Sequence, residues 1–340
     1  MQRTYWNFAF VPDQYVGWYR PAVRAALDVA RDWRPDVVLA SGTPWTSLLV
    51  GRTVATRLGL PFVAELRDPW TGTTLSRTAH FGWRARLDAR LERHALARAS
   101  ALISVSDPYA EELRDRYHVP SHVVLNGFDA QRYAGVPSER PDDGVLRLLY
   151  TGNLSYERDI TPLLEAMASL GDDAARVRLD VIGNGDLPLQ AHFAGVAERL
   201  GVGASVRWLP ALPYHAMART QRGADVLLLV TYDDPSQRGV YTGKLFEYVG
   251  ARRPILLVGM VDGVAADLLR DRGLGAAEST ADGIAARLRG WLAEKREGNG
   301  PADTAGTQVD DLTRESQTRR LEAILVEARA SFGRRAPARA

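Results

Sequence analysis

The stretch ADVLLLVTYDDPSQRGVYTGKLFEYVGARRPILLV, residues 224–258, holds one complete strand, helix and strand. Residues 225–230 form an apolar run too short for a helix and rich in branched side chains, which reads as a strand buried on both faces. A loop of Asp, Pro, Ser and Gly follows, a helix starts near Thr242, and a second apolar run occupies residues 254–258. Two such runs joined by a crossover helix make a βαβ unit and therefore a parallel sheet.

The same alternation extends outward in both directions. Upstream, strands are predicted at 146–150, 178–182 and 205–209, with helices beginning near Ile160, Pro188 and Tyr214; downstream, another helix begins near Gly263. An earlier series places strands at 36–40, 61–66, 101–105 and 122–125, with crossover helices over 45–58 and 83–99. Between the two series, NGFDAQRYAGVPSERPDDG at 126–144 breaks the periodicity with Gly, Pro and Asp, as a domain boundary does. The expected organisation is an α/β domain at 1–127, a linker at 128–144, a second, doubly wound domain at 145–330 that includes a helix over 313–329, and a tail at 331–340. In open parallel sheets ligands sit beyond the carboxyl ends of the strands, so the chemistry is sought in the loops that follow them.

Composition removes several function classes. With 340 residues, 46% of them hydrophobic and 25% charged, the chain can build two cores. Its apolar runs fall short of the roughly 20 residues that cross a bilayer, and no export leader is visible, so a cytoplasmic location is expected. The aromatic opening at 1–21 reads first as packing, with a peripheral contact at the inner membrane face kept as an alternative. The absence of cysteine excludes disulfides, a thiolate nucleophile and cysteine-bound metal. His118 and His122 stand at an H-x-x-x-H interval, but neither they nor His80, His94, His192 and His215 have companion acids in a metal pattern, so no metal site is expected. Arginines are interspersed with acids at a net charge of +2, which argues against a nucleic-acid partner. The only lysines are Lys244 and Lys295, which singles out the one that opens a helix in the quoted stretch.

Lys244 would join the first-turn amides of its helix in attracting a phosphate, while Glu247, three residues on and on the same face, would accept two ribose hydroxyls. A surface ion pair between the two explains the spacing equally well. Leu245 between them is included in the donor-binding set. The segment YTGNLSYERD at 150–159 puts Gly152 and Asn153 in a strand-to-helix turn whose amides can face a diphosphate, with Arg158 as a charged fork; an ordinary βα loop is the alternative. VIGNGDL repeats the arrangement with Gly183 and Gly185 but lacks the full dinucleotide fingerprint. The loop at 209–217 offers apolar surface and backbone groups to a base. In the first domain, PFVAELRDPWTGT ends a strand with Arg67 and Asp68, the candidate catalytic pair; capping of the next turn by Asp68 and mutual pairing are the alternative.

Taken in order, PDVVLASGTPWTSLLVG, GLPFVAELRDPW, LNGFD, LLYTGNL, DVIGNGD and TGKLFEYVGARRPIL resemble the family-four glycosyltransferases over residues 11–329. The resemblance implies a GT-B fold of two Rossmann-like domains facing a cleft, with the acceptor held mainly by the first and the nucleotide sugar mainly by the second. It implies retaining transfer without a required metal and with no cofactor beyond the donor itself. Glu247 falls on the second of the family's two motif glutamates, the one that holds the donor ribose, whereas the first falls on Gly239. The family's basic pair falls on Asn153 and Asp159, leaving Arg158 and Lys244 as phosphate contacts, and its histidine falls on Arg67. Opening βα units of the family are missing before residue 36, so the first domain is expected to be incomplete or completed by a protein partner or a second copy. The expected partners are a nucleotide-diphosphate sugar and a small-molecule, glycan-precursor or lipid-linked acceptor. A non-catalytic glycosyltransferase-like subunit and a sugar-nucleotide epimerase are the competing readings.

Overall fold

The computed structural model describes residues 10–71, 82–183, 186–232, 234–298 and 300–335. The chain divides into two compact units, one formed by Met1–Leu125 with Ser316–Ala340 and the other by Asn126–Glu315.

The first unit is built on a parallel sheet of β1 (Val38–Gly42), β2 (Phe62–Leu66), β3 (Ala101–Ser104) and β4 (Ser121–Val123), in that spatial order. The pleat of β2 sends Phe62, Ala64 and Leu66 to one face and Val63 to the other. The first face packs on Leu48 and Ala55 of the Trp45–Leu58 helix, Ala95 and Leu96 of the Gly82–Leu96 helix, and Leu113 of the Asp107–Tyr117 helix. At Gly51 the first of these comes so close to the sheet that an added Cβ would lie 2.6 Å from the Ala40 Cβ. Asp13 serves the start of the same helix, accepting the Thr46 N–H at 2.9 Å and its hydroxyl at 2.8 Å. An outer helix, Tyr19–Asp32, lays Val23 against Val50 and Val54.

The opposite face of this sheet is covered from the far end of the chain. Ile324 and Ala328 of the Arg314–Arg335 helix are buried against Val63, Ala101, Ile103 and Val124, and the Gln317 side chain accepts the Leu125 N–H at 2.7 Å. Residues 316–340 thus belong with the first unit, which differs from the expected second-domain boundary at 330. The physical reason is that a parallel sheet needs both faces covered, and a helix distant in sequence covers this one.

The second unit has six parallel strands, β5 (Leu146–Thr151), β6 (Val177–Ile182), β7 (Val206–Leu209), β8 (Val226–Val230), β9 (Ile255–Val258) and β10 (Gly275–Glu278), ordered β10-β9-β8-β5-β6-β7. Leu148, Val226, Leu227, Leu228 and Leu256 have no exposed surface, which accounts for the uninterrupted apolar runs of these strands. The expected count was five; β10, with the sequence GAAE, has no branched side chain to signal a strand. Its Gly275 has φ +155° and comes so near β9 that a Cβ would sit 1.9 Å from the Ile255 carbonyl oxygen. Lys295 is one of the chain's two lysines and is structural: its ammonium donates to Asp225 at 2.9 Å and to the Pro141 carbonyl at 2.9 Å inside the unit. Among the described residues no helix is long and apolar enough to cross a membrane.

Candidate functional site

From β5 the chain winds through β6 to β7 in one direction, then returns to the other side of β5 and winds through β8, β9 and β10. The loops after β5 and β8 therefore flank a topological switch point, where open α/β sheets leave a crevice. Gly152 follows β5 directly at φ +105°, its N–H bonded to the Ile182 carbonyl at 2.7 Å. A Cβ here would meet Lys244 Cε at 2.5 Å, so the lysine lies directly over the glycine. The next loop is equally tight: a Cβ on Gly183 would be 2.5 Å from the Gly152 carbonyl oxygen. Both glycines are thus required by close approach. Gly185 lies outside the described residues.

Lys244 Nζ donates to the Tyr150 hydroxyl at 3.0 Å and sits 4.7 Å from the centre of its ring. That hydroxyl in turn donates to the Asn153 carbonyl at 2.9 Å. Arg158 also interacts with that hydroxyl, and its guanidinium lies 4.9 Å from the Tyr232 ring centre. Burial first and Arg158 second, opposed by Glu247, bring the Lys244 pKa down to about 8. Burial likewise pushes Tyr150 up to about 12, so it stays a neutral hydroxyl. Two cations held around one neutral oxygen repel each other, and an anion placed between them relieves that repulsion.

The Gly243–Ala251 helix begins beside this pair. Thr242 occupies its N-cap in extended conformation without a side-chain capping bond, and its Oγ1 is buried without a partner. A cap threonine normally closes the first turn, so this helix presents its positive end uncapped. Leu245, by contrast, is wholly buried, and its N–H bonds the Thr242 carbonyl at 3.1 Å, which makes it a core residue. Tyr248 ties the helix to β5 through its hydroxyl, which accepts the Thr151 N–H at 3.0 Å.

Glu247 does not take Lys244 as its ion-pair partner. Its Oε1 lies 3.3 Å from Arg132 Nη1, and its side chain remains 30% exposed. Asp159, which stands where the family has a basic residue, accepts the Thr161 N–H at 2.8 Å and so serves the start of the Thr161–Ala168 helix. Gly152, Asn153, Arg158, Gly183 and Lys244 are thus brought together around Tyr150, with Glu247 one helical turn beyond Lys244. Tyr150, Tyr232 and Arg132 were missed by sequence reading; the first had a signal in its position beside Gly152, whereas Tyr232 lies in the loop after β8 and Arg132 in the single 3-10 turn Gln131–Tyr133, neither with a pattern to mark it.

The candidate catalytic pair lies in the first unit, just after β2. Arg67 is exposed and pairs with Glu65 at 3.5 Å rather than with Asp68. Asp68 is open to solvent on one side, but partial desolvation outweighs the neighbouring Arg67 and raises its pKa. It lies near the Tyr109 hydroxyl, which burial first and Asp68 second push up to about 12. Trp70 stacks on Trp45 with ring centres 5.2 Å apart.

Comparison with known proteins bears on these arrangements. The model of Glycosyltransferase Family 4 matches residues 4–132. Glycogen synthase of Mycobacterium tuberculosis is 24% identical over 219 residues, covering 62% of this chain and 50% of that protein. The chain therefore spans about half the length of the curated relatives it matches. Among solved structures, sucrose-phosphate synthase from Thermosynechococcus elongatus superposes with a TM-score of 0.62 at 15% identity, over 96% of this chain and 79% of that one. Anabaena HepE in complex with UDP and glucose gives a TM-score of 0.58 at 16% identity, over 92% of this chain and 81% of that one. The resemblance read from the motifs is borne out: residues 4–132 match Glycosyltransferase Family 4, and the chain carries the two-unit α/β fold of the GT-B glycosyltransferases.

Proposed function

We propose that the chain transfers a hexosyl group from a nucleoside-diphosphate donor to a hydroxyl acceptor with retention of configuration. The observation that supports this most is the convergence of Lys244 and Arg158 on the Tyr150 hydroxyl, beside the uncapped start of the Gly243–Ala251 helix. The two cations and the helix end stabilise the charge that develops on the departing diphosphate, and that stabilisation is the main demand of the reaction. Glu247 keeps one carboxylate oxygen beside Arg132 and offers its remaining lone pairs to the ribose hydroxyls. The acceptor hydroxyl meets the sugar on the face the diphosphate leaves, and its proton passes to a departing phosphate oxygen; positioning then supplies much of the rate. Asp68 orients the acceptor, and Arg67 steadies charge at the same strand end. The donor serves as substrate, with no further cofactor, and turnover is expected to persist in a chelator.

Titration of the whole chain with UDP, ADP and GDP by calorimetry tests the donor assignment. Lys244→Ala is expected to weaken the best of them by about 10- to 100-fold, the worth of one charged hydrogen bond. Unchanged affinity would remove the lysine from the site. Asp68→Asn is expected to leave that affinity intact while transfer to acceptor falls; equal transfer by the variant would end its acceptor role. Gly239, Asn153 and Asp159 at family positions that are otherwise charged favour the non-catalytic alternative. Tight nucleotide binding without transfer to any hydroxyl would establish that reading. Free nucleotide formed together with a glycal in the absence of acceptor would point instead to epimerase chemistry.

A further inference from the structure

Three residues of the second unit, far apart in sequence, form a contact that none of the preceding assignments explains. Arg132 lies in the segment before β5, its side chain only 7% exposed. Its guanidinium carbon sits 3.8 Å from the centre of the Tyr214 ring, and Nη2 donates to the Tyr214 carbonyl at 3.2 Å. From the same plane Nη1 reaches Glu247 Oε1 at 3.3 Å, while Nε is buried without a partner. One rigid fork thus fixes both the carboxylate, midway along the Gly243–Ala251 helix, and the ring, at the first residue of the Tyr214–Gly223 helix.

Burying a guanidinium with one nitrogen unpaired is costly, and a surface ion pair alone would not repay it. The Tyr214 ring is also unusual, because one face lies on the guanidinium while the residue remains 59% exposed. A flat aromatic ring, immobilised from beneath and open above, is a stacking platform for a planar ligand. In the reading proposed above, on which this inference rests, Glu247 beside it holds a ribose.

We propose that Tyr214 stacks the donor's nucleobase and that Arg132 is the positioning residue that holds Tyr214 and Glu247 in one register. The planar fork matters as much as the charge: a lysine at 132 would keep the charge and lose both the stack and the bidentate reach. Stacking of this kind tolerates any base, so the platform supplies affinity while base identity is read elsewhere.

The test uses the whole chain and three probes: the tightest binder of UDP, ADP and GDP, its 2′-deoxy counterpart, and inorganic pyrophosphate. Tyr214→Ala is expected to weaken the ribo and deoxy forms alike, by about 10-fold or more, as loss of a stacking ring does. Tyr214→Phe is expected to bind as the unaltered chain does. Arg132→Met and Arg132→Lys are each expected to lower the preference for the ribo form over the deoxy form by about 3- to 10-fold, as a displaced hydrogen-bonding carboxylate does. Pyrophosphate binding should be the same in all four variants. Full nucleotide affinity in Tyr214→Ala overturns the platform, and this exposed substitution carries no folding risk. An unaltered ribo-to-deoxy ratio in Arg132→Lys overturns the positioning role, as does a parallel loss of pyrophosphate binding. If the unaltered chain binds none of the nucleoside diphosphates, the proposed function fails and this inference with it.

Discussion

Lys244 is stabilised neither by a carboxylate in contact nor by open water, and its pKa of about 8 expresses that. The sign of the consequence follows from comparison with its ordinary value of 10.5. Between those two values the folded state binds fewer protons than the unfolded state, so stability rises with pH there. Below pH 8 the cost of the buried ammonium is present in full. Lys244→Met, measured at neutral pH by thermal melting, is therefore expected to keep or raise the melting temperature while diphosphate binding weakens; a clear drop would show the lysine to be structural. Binding should have the opposite pH dependence. As pH rises through about 8 the free lysine loses its proton, and diphosphate affinity should decline. In Lys244→Met that decline should disappear, which calorimetry across the range would show. Lys295 is the control within the same chain: paired with Asp225 and a carbonyl, it holds the unit together and should tolerate no such replacement.

At the level of elements, the site is a meeting of turns, and two glycines let them meet. Gly183→Ala would drive its methyl into the Gly152 carbonyl, and Gly152→Ala would combine a collision with Lys244 with a φ of +105°. Overpacking of this order costs about 1–3 kcal/mol. Because the Lys244 tip is flexible while the Gly152 carbonyl is backbone, Gly183→Ala should lose more stability, whereas Gly152→Ala should lose diphosphate affinity first. Denaturant unfolding and calorimetry on the pair would separate these outcomes, and identical profiles would refute the distinction. The sequence made the strand-turn-helix framework legible, because buried parallel strands are apolar without interruption, and helix starts follow glycine-bounded turns. Gly152, Gly183 and Lys244 were readable from that framework. The Arg132 contact was not, since its partners lie 82 and 115 positions away on two different helices, and no local periodicity links them to the segment that carries Arg132. Nor was β10, whose pairing is set by close approach at Gly275 rather than by side-chain pattern. Leu245 was assigned to the donor through its neighbours, yet its position on the helix turns it to the core.

For the whole molecule, the path of the last helix decides which part of the chain depends on which. The sequence placed it after the second sheet, and its amphipathic pattern gave no hint of the surface it would cover. In the structure Ile324 and Ala328 close the face of the first sheet that Val63 and Ile103 present. A fully buried aliphatic side chain of this kind contributes about 1.5–3 kcal/mol, so loss of the helix removes several such terms and the Gln317 bond to Leu125 together. The lysine, arginine and tyrosines of the donor site all belong to Asn126–Glu315, a unit with six strands and its own core. A chain ending at residue 315 should therefore lose amide protection in β2 and β3 while β5, β6 and β8 stay protected, as followed by hydrogen exchange. Its affinity for the nucleoside diphosphate should remain within about twofold of that of the whole chain, because no contact of the site is removed. Loss of protection in both sheets at once would show that the units unfold as one, and that the helix supports more than the sheet it covers.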